Sequence, residues 1–383
     1  MFNQVISFIQ NQFESKEFIP LHEPRFAGNE KQYLNECIDS TFVSYLGKFV
    51  TEFEDQIKEY TGAKHALAIV NGTMALHIAM VAEGIVENDE VITQALTFVA
   101  TANAISYQKA KCIFIDVDKD TMGMSPHALR TFLEKNASVE NGICINKTTG
   151  RRIKACMPMH TFGHPCRIDE IVTICKEYNI SVIEDSAESL GSFYKGKHTG
   201  TFGKIGVFSF NGNKTITCGG GGMVITDSDD VAARLKHLST TAKVQHQWNY
   251  VHDEIGYNYR LPNVNAALAV AQMESLENYL HDKRDLAAQY RAFFNGNSID
   301  FISEPESAKS NYWLNAVVLE NREQRDAFLD ATNSAGVMTR PIWELMSRLE
   351  MFKDCQADSL LNSEWLVDRV VNIPSSVRLK TLG

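Results

Sequence analysis

The sequence predicts an α/β protein: a large domain built on a mostly parallel sheet with helices on both faces, followed by a smaller α+β domain. Three observations carry this expectation. From about Phe49 onward, short apolar runs alternate with segments of helical periodicity, the pattern of successive βαβ units. The chain has 383 residues, and a single hydrophobic core stops growing at roughly 250–300 residues. From Asn263 the alternation gives way to one long helical pattern, which marks the change of domain. The expected divisions are an amphipathic N-terminal extension over 1–23, a large domain over 24–265 and a small domain over 266–383.

The opening stretch MFNQVISFIQNQFESKEF places Val5, Ile6, Phe8, Ile9 and Phe13 opposite a polar face. It has no basic start and its apolar residues are interrupted, so it reads as an amphipathic helix and not as a signal peptide. FVTEFEDQIKEYTG has helical spacing and stops at Gly62. HALAIV then reads as a short buried strand, and NGTMALHIAMVAEGI as a turn opening an apolar helix. DEVITQ (strand), TFVATANAISYQKA (helix) and KCIFIDVD (strand) continue the alternation. NASVENGICINKTTGRRI is polar and turn-rich, a surface excursion. IKACMPMH, a helix from about Ile168 to Tyr178, and ISVIED complete the run of βαβ units. After the long helix from Asn263, YWLNAVVL reads as a strand and REQRDAFLDATNSAG as a helix. In sheets of this kind ligands bind outside the carboxyl ends of the strands.

Composition limits the function. The formal net charge of −10 argues against nucleic acid or an anionic membrane as partner. Eight scattered cysteines without a CxxC pair fit reduced thiols in a cytoplasm better than a disulfide framework. No run approaches membrane-spanning length, and the expected location is cytoplasmic.

One segment singles itself out. FSFNGNKTITCGGGGMV sets Lys214 just before four glycines, Gly219 to Gly222. A P-loop needs four residues between its glycines and a lysine directly after the second. Gly206 and Gly212 are separated by five residues, and Asn213 separates the second from Lys214, so the amide ladder is out of register. CMPMHTFGHPC offers Cys156, His160, His164 and Cys166 at a spacing that can bind zinc, but Cys156 falls inside a buried strand and no second cluster supports it. No metal is expected. A nucleophilic lysine beside an aldehyde cofactor has support elsewhere in the chain. Pyridoxal phosphate needs a carboxylate for its ring nitrogen, and Asp185 ends the strand ISVIED. Its phosphate needs amides at a helix start, and NGTMAL provides Gly72 and Thr73 there. Its ring face benefits from an aromatic group, and Phe98 opens the helix after the next strand. Each of these also has a structural reading: a cap, a turn, a core ring. Their joint occurrence in this order favours the cofactor site.

NGTMAL, TFVATANAI, EDSAESLG, GTFGKIGVFSFNGNKTITCGGGGMV and GYNYRLPNVNAALAVAQ together resemble the DegT/DnrJ/EryC1/StrS sugar aminotransferases, from about Ile19 to Ser376. The resemblance implies the aspartate-aminotransferase fold (fold type I), with a mostly parallel seven-stranded sheet, in a homodimer with shared active sites. It implies that Lys214 forms the Schiff base with pyridoxal phosphate, that Asp185 pairs with the pyridine nitrogen and that Phe98 stacks on the ring. Gly72, Thr73 and the Ser209 hydroxyl would hold the phosphate, joined by Asn258 of the neighbouring subunit. Glu188 takes a position near the cofactor's ring hydroxyl that is often His or Gln in relatives. A carboxylate donates a hydrogen bond only when protonated.

The implied reaction moves an amino group from L-glutamate to a keto-sugar through the pyridoxamine phosphate form. FIPLHEPRFAGNE, HTFGHPCRID, HLSTTAK and VHDEIGYNYRLPN look most like a subgroup from nonulosonic-acid (legionaminic acid-type) and related surface-sugar pathways. That favours a nucleotide-linked 4-keto-6-deoxy-N-acetylhexosamine, with Lys243, Arg260 and Arg340 as candidate cations for its phosphates. The alternatives are amination of an eight-carbon keto-deoxy acid sugar and a pyridoxamine-phosphate-dependent sugar dehydratase. The dehydratases carry histidine where Lys214 stands, so the lysine speaks for transamination. A binding protein is the remaining class, and no nucleic-acid module is appended to support it.

Overall fold

The computed structural model describes residues 2–378. Residue 1 and residues 379–383, the outer ends of the expected first and last divisions, lie outside the described residues. The large sheet has eight strands. In spatial order they are His65–Ile69, Gly222–Thr226, Ile205–Ser209, Ser181–Asp185, Ile153–Met157, Glu90–Gln94, Lys111–Ile115 and Gln356–Ala357. Seven match the expected number. The eighth is a two-residue edge strand sent back from the C-terminal region, pairing in parallel with Ile113 and Phe114. So short a piece has no periodicity to read.

Gly222–Thr226 runs antiparallel to both of its neighbours, and every other pairing in the sheet is parallel. Its amino end therefore lies at the edge where the other strands have their carboxyl ends. The register sets Gly222 opposite both Ile69 and Ser209. One edge of the sheet thus collects the ends of the strands that carry Asn71, Asp185 and Ser209, together with the end of the glycine run.

Side chains alternate across the pleat, as a period of two requires. Val91, Phe114, Ile183, Val207 and Val224 face helices Gly72–Ala82, Val99–Tyr107 and Asp229–Ser239. Ile92, Ile113, Cys156 and Val182 face Pro126–Asn136 and Ile168–Glu177. Ala68, Phe208, Met223 and Ile225 pack under Lys48–Thr61 and the first half of Asn263–Phe294. The polar excursion folds into an antiparallel pair, Ala137–Glu140 with Ile143–Asn146.

Helix Asn263–Phe294 has 32 residues and spans roughly 48 Å. Ala266 to Leu280 belong to the large core, whereas Leu286, Tyr290 and Phe294 belong to the C-terminal one. The C-terminal core also holds a four-stranded antiparallel sheet and helix Arg322–Ser334. Val5, Ile6 and Ile9 of helix Phe2–Gln12 are buried in that same core, so the first helix packs as part of the C-terminal body. All eight cysteines are free thiols. Among the described residues no helix is long and apolar enough to cross a membrane.

Candidate active site

Lys214 lies in the irregular loop between the strands Ile205–Ser209 and Gly222–Thr226. Its side chain is only 12% exposed, with Nζ 3.2 Å from Glu188 Oε1. On another side the amine lies 3.8 Å from the centroid of the Trp313 ring. Glu188 is buried, and its second oxygen accepts the Phe162 N–H at 2.9 Å. Burial pushes the Glu188 carboxyl up to about 7, against the opposing pull of Lys214 and the Phe162 N–H. Phe162 makes this contact from a left-handed backbone conformation, φ 56°, which a bulky side chain rarely adopts. Its ring packs on Trp343 at 4.9 Å between centroids, which holds the turn in place.

Asp185 ends its strand 2% exposed. Thr101 Oγ1 donates to Oδ2 at 2.7 Å and the Ala187 N–H to Oδ1 at 3.1 Å. Among the described residues no cation lies in ion-pair contact with it, and burial raises its carboxyl. A buried carboxylate held by two neutral donors is suited to a protonated ring nitrogen, which would supply the missing positive charge. Neighbouring Glu184 differs. It accepts N–H groups from Gly200, Phe202 and Gly203 and meets His160 Nε2 at 3.0 Å, so it is a satisfied structural group.

The turn after His65–Ile69 forms the third part. Asn71 caps helix Gly72–Ala82 by accepting the Met74 N–H at 2.8 Å, which leaves the N–H groups of Gly72 and Thr73 without helical partners. Such a helix start favours an anion. Ser209 borders it closely: a Cβ placed on Gly72 would stand 2.8 Å from Ser209 Cβ and 3.1 Å from its Oγ. Glycine's missing side chain suggests that the run lets backbone lie close to a cofactor-bearing lysine, but the structure gives it a different neighbour. A Cβ on Gly222 would stand 2.5 Å from the Asn71 carbonyl oxygen, so glycine there lets the strand start lie against the helix turn, not against the lysine. These features fit pyridoxal phosphate: an amine, a buried unpaired carboxylate and an open helix start share one sheet edge.

Phe98 caps helix Val99–Tyr107 and is 47% exposed, its ring 6.1 Å from that of Trp343. Asn258 is exposed, on a segment that runs beside the edge strand His65–Ile69 through Val70 and Leu261. The three candidate substrate cations are not brought together by any contact. The Arg260 guanidinium is drawn inward to Glu54 at 2.7 Å, with the side chain 9% exposed. Lys243 is exposed and lies over the Tyr250 ring at 4.1 Å. Arg340 is exposed and donates to Asn333 and to the Thr339 carbonyl. Of the residues once weighed for zinc, His164 meets Ser310 at 2.9 Å, while His160 meets Glu184 through Nε2 and accepts the Cys166 N–H at Nδ1. Trp313, Phe162 and Thr101 were not singled out in the sequence. Thr101 lies three residues after Phe98 and could have been suspected, but SNYWLNAVVL gives no sign that Trp313 leaves its own domain.

The DegT/DnrJ/EryC1/StrS aminotransferase family matches residues 24–382. A GDP-perosamine synthase of Escherichia coli O157:H7 is 38% identical over 94% of this chain and 93% of the relative. The putative pyridoxal phosphate-dependent aminotransferase EpsN of Bacillus subtilis (strain 168) is 37% identical over 87% of this chain and 84% of its own. Among solved structures, a DegT DnrJ EryC1 StrS aminotransferase from Brucella abortus superposes with a TM-score of 0.82 at 25% identity, covering 93% of this chain and 94% of the other.

Proposed function

The chain belongs to the DegT/DnrJ/EryC1/StrS aminotransferase family, and from that premise we propose that it aminates a nucleotide-linked keto-sugar with L-glutamate as donor. It is a pyridoxal-phosphate-dependent sugar aminotransferase of fold type I. The observation that carries the site assignment is Asp185, buried without a cation partner at the same sheet edge as the Lys214 amine. When bound, pyridoxal phosphate supplies an aldehyde carbon that takes up amines and a ring that withdraws electrons. In this reading Lys214 Nζ would hold the cofactor and, as a free amine, would carry a proton to and from substrate carbon as base and acid. Asp185 keeps the ring nitrogen protonated. The Gly72 and Thr73 N–H groups and the Ser209 hydroxyl hold the phosphate, and Phe98 covers the ring.

Glu188 lies next to the amine and holds it in place. Lys214's positive charge is what opposes the burial of Glu188. Without that charge, burial would favour the protonated carboxyl, which would be able to donate a hydrogen bond to the cofactor's ring hydroxyl. Asn258 of the partner subunit completes the phosphate site in a homodimer. The support for this is the exposed apolar surface near it, Trp248, Tyr250 and Ile255 at 70%, 82% and 83% exposure.

For the acceptor, relatives named GDP-perosamine synthase support a nucleotide-linked sugar, and the subgroup resemblance supports a 4-keto-6-deoxy-N-acetylhexosamine. Competition by free nucleotides tests the class, because a remote group contributes binding energy on its own. GDP, UDP or dTDP is expected to compete with the sugar substrate, and binding is expected to weaken in Arg340→Ala or Lys243→Ala. Amination of an eight-carbon keto acid with no response to any of the three nucleotides would overturn the proposal.

A further inference from the structure

The catalytic lysine is gripped by a residue from the other domain. Trp313 lies just ahead of the C-terminal strand Asn315–Val318. It makes two contacts to one short loop: Nε1 donates to the carbonyl of Asn213 at 2.6 Å, and the ring face lies 3.8 Å from Lys214 Nζ. Trp313 is itself fixed. Its N–H donates to Asn311 Oδ1 at 2.8 Å, and its carbonyl accepts from the fully buried Lys283 Nζ at 3.2 Å. Asn311 Nδ2 in turn donates to the Glu188 carbonyl at 2.8 Å. One brace therefore reaches both Lys214 and the loop that carries its carboxylate neighbour.

We propose that Trp313 is a positioning residue for Lys214: the indole fixes the lysine's backbone through Asn213 and seats the released ammonium against Glu188. The physical basis is twofold. An aromatic face attracts an ammonium over a neutral amine. An indole N–H bonded to the preceding carbonyl removes freedom from a loop that has no regular structure to hold it. Since Trp313 belongs to the C-terminal domain, correct seating of that domain becomes a condition for aligning the amine. The effect on turnover rests on the aminotransferase reading. The contact itself is a property of the chain without cofactor.

The test uses Trp313→Leu, which removes both contacts, and Trp313→Phe, which keeps a ring face but loses the donor. Cofactor-free protein is labelled with trace acetic anhydride at fixed pH, and labelling of Lys214 is measured by mass spectrometry relative to exposed lysines. Lys214 in Trp313→Leu should label about fivefold faster than in wild type, the size of a cation–π contact expressed as a ratio. In Trp313→Phe labelling should stay within about twofold of wild type. With cofactor loaded, the half-reaction with glutamate should slow about tenfold or more in Trp313→Leu and severalfold in Trp313→Phe, with cofactor affinity preserved. If Trp313→Leu fails to fold, the Trp313→Phe pair of readouts decides alone. Wild-type labelling in Trp313→Leu, equal labelling of the two variants, or a slowing that only tracks cofactor loss would overturn the proposal. A wild-type protein that neither binds pyridoxal phosphate nor responds to glutamate would instead refute the functional reading, and the labelling arm would still decide the contact.

Discussion

Replacing Glu188 by glutamine tests the electrostatics of the site without touching the lysine. Glu188 is buried beside Lys214, and burial raises its carboxyl from the ordinary 4.5 to about 7. For an acid raised on folding, the stabilising contribution is fully present below the unfolded value and is lost as pH rises through the folded one. The window here runs from about 4.5 to about 7. A shift of that size corresponds to about 3 kcal/mol, since each unit is about 1.4 kcal/mol. Glutamine keeps an acceptor for the Phe162 N–H and has no charge to lose, so Glu188→Gln should lack this component. The assay is urea unfolding of cofactor-free protein at several pH values, comparing wild type with Glu188→Gln at each. Wild type should lose up to about 3 kcal/mol relative to the variant between pH 4.5 and 7.5, with the steepest loss about midway between the two values and little further loss above the folded one. Parallel curves for the two proteins across that range would refute the reasoning, because they would mean that Glu188 titrates no differently in the folded chain.

Asp185→Asn keeps the size of the side chain and a carbonyl oxygen for its neutral donors but removes the charge. Losing one charge-assisted hydrogen bond of about 1.5–3 kcal/mol should slow the glutamate half-reaction roughly 10- to 150-fold at near-unchanged melting temperature; a near-normal rate in rapid mixing would leave Asp185 as a strand cap only. Lys214→Ala and Asn258→Ala should each be inactive alone and regain some activity when mixed, through hybrid dimers that carry one intact site; a fully active monomer in sedimentation would contradict the shared site.

The sequence made the candidate cofactor groups legible because each follows a local signal. Asp185 closes an apolar run, Gly72 and Thr73 open a helix, and Lys214 stands beside a glycine block. Strand ends of a parallel sheet meet at one edge, so those local signals were enough to bring these residues together. The glycine block itself was legible only as an approach of backbone. Its partner proved to be the Asn71 turn, through an antiparallel register that local sequence does not encode. Trp313 stands 100 residues from Asn213, and its contact exists only once these distant parts of the chain have folded together. Arg260 was read as a candidate cation for the substrate's phosphates, and nothing in YNYRLP marks an internal partner. Its actual partner, Glu54, lies on a helix 206 residues away. Phe162 gave no signal because nothing in MHTFGHP marks a left-handed phenylalanine.

The central claim is that Lys214 is the amine that holds the cofactor, and one measurement addresses it directly. Purified protein with pyridoxal phosphate bound should show a visible absorbance band, and borohydride should fix the cofactor to the chain. Peptide mapping by mass spectrometry should then find the reduced adduct on Lys214, and Lys214→Ala should yield none. An adduct on any other lysine of the wild-type protein, or fixation that persists in Lys214→Ala, would contradict the account.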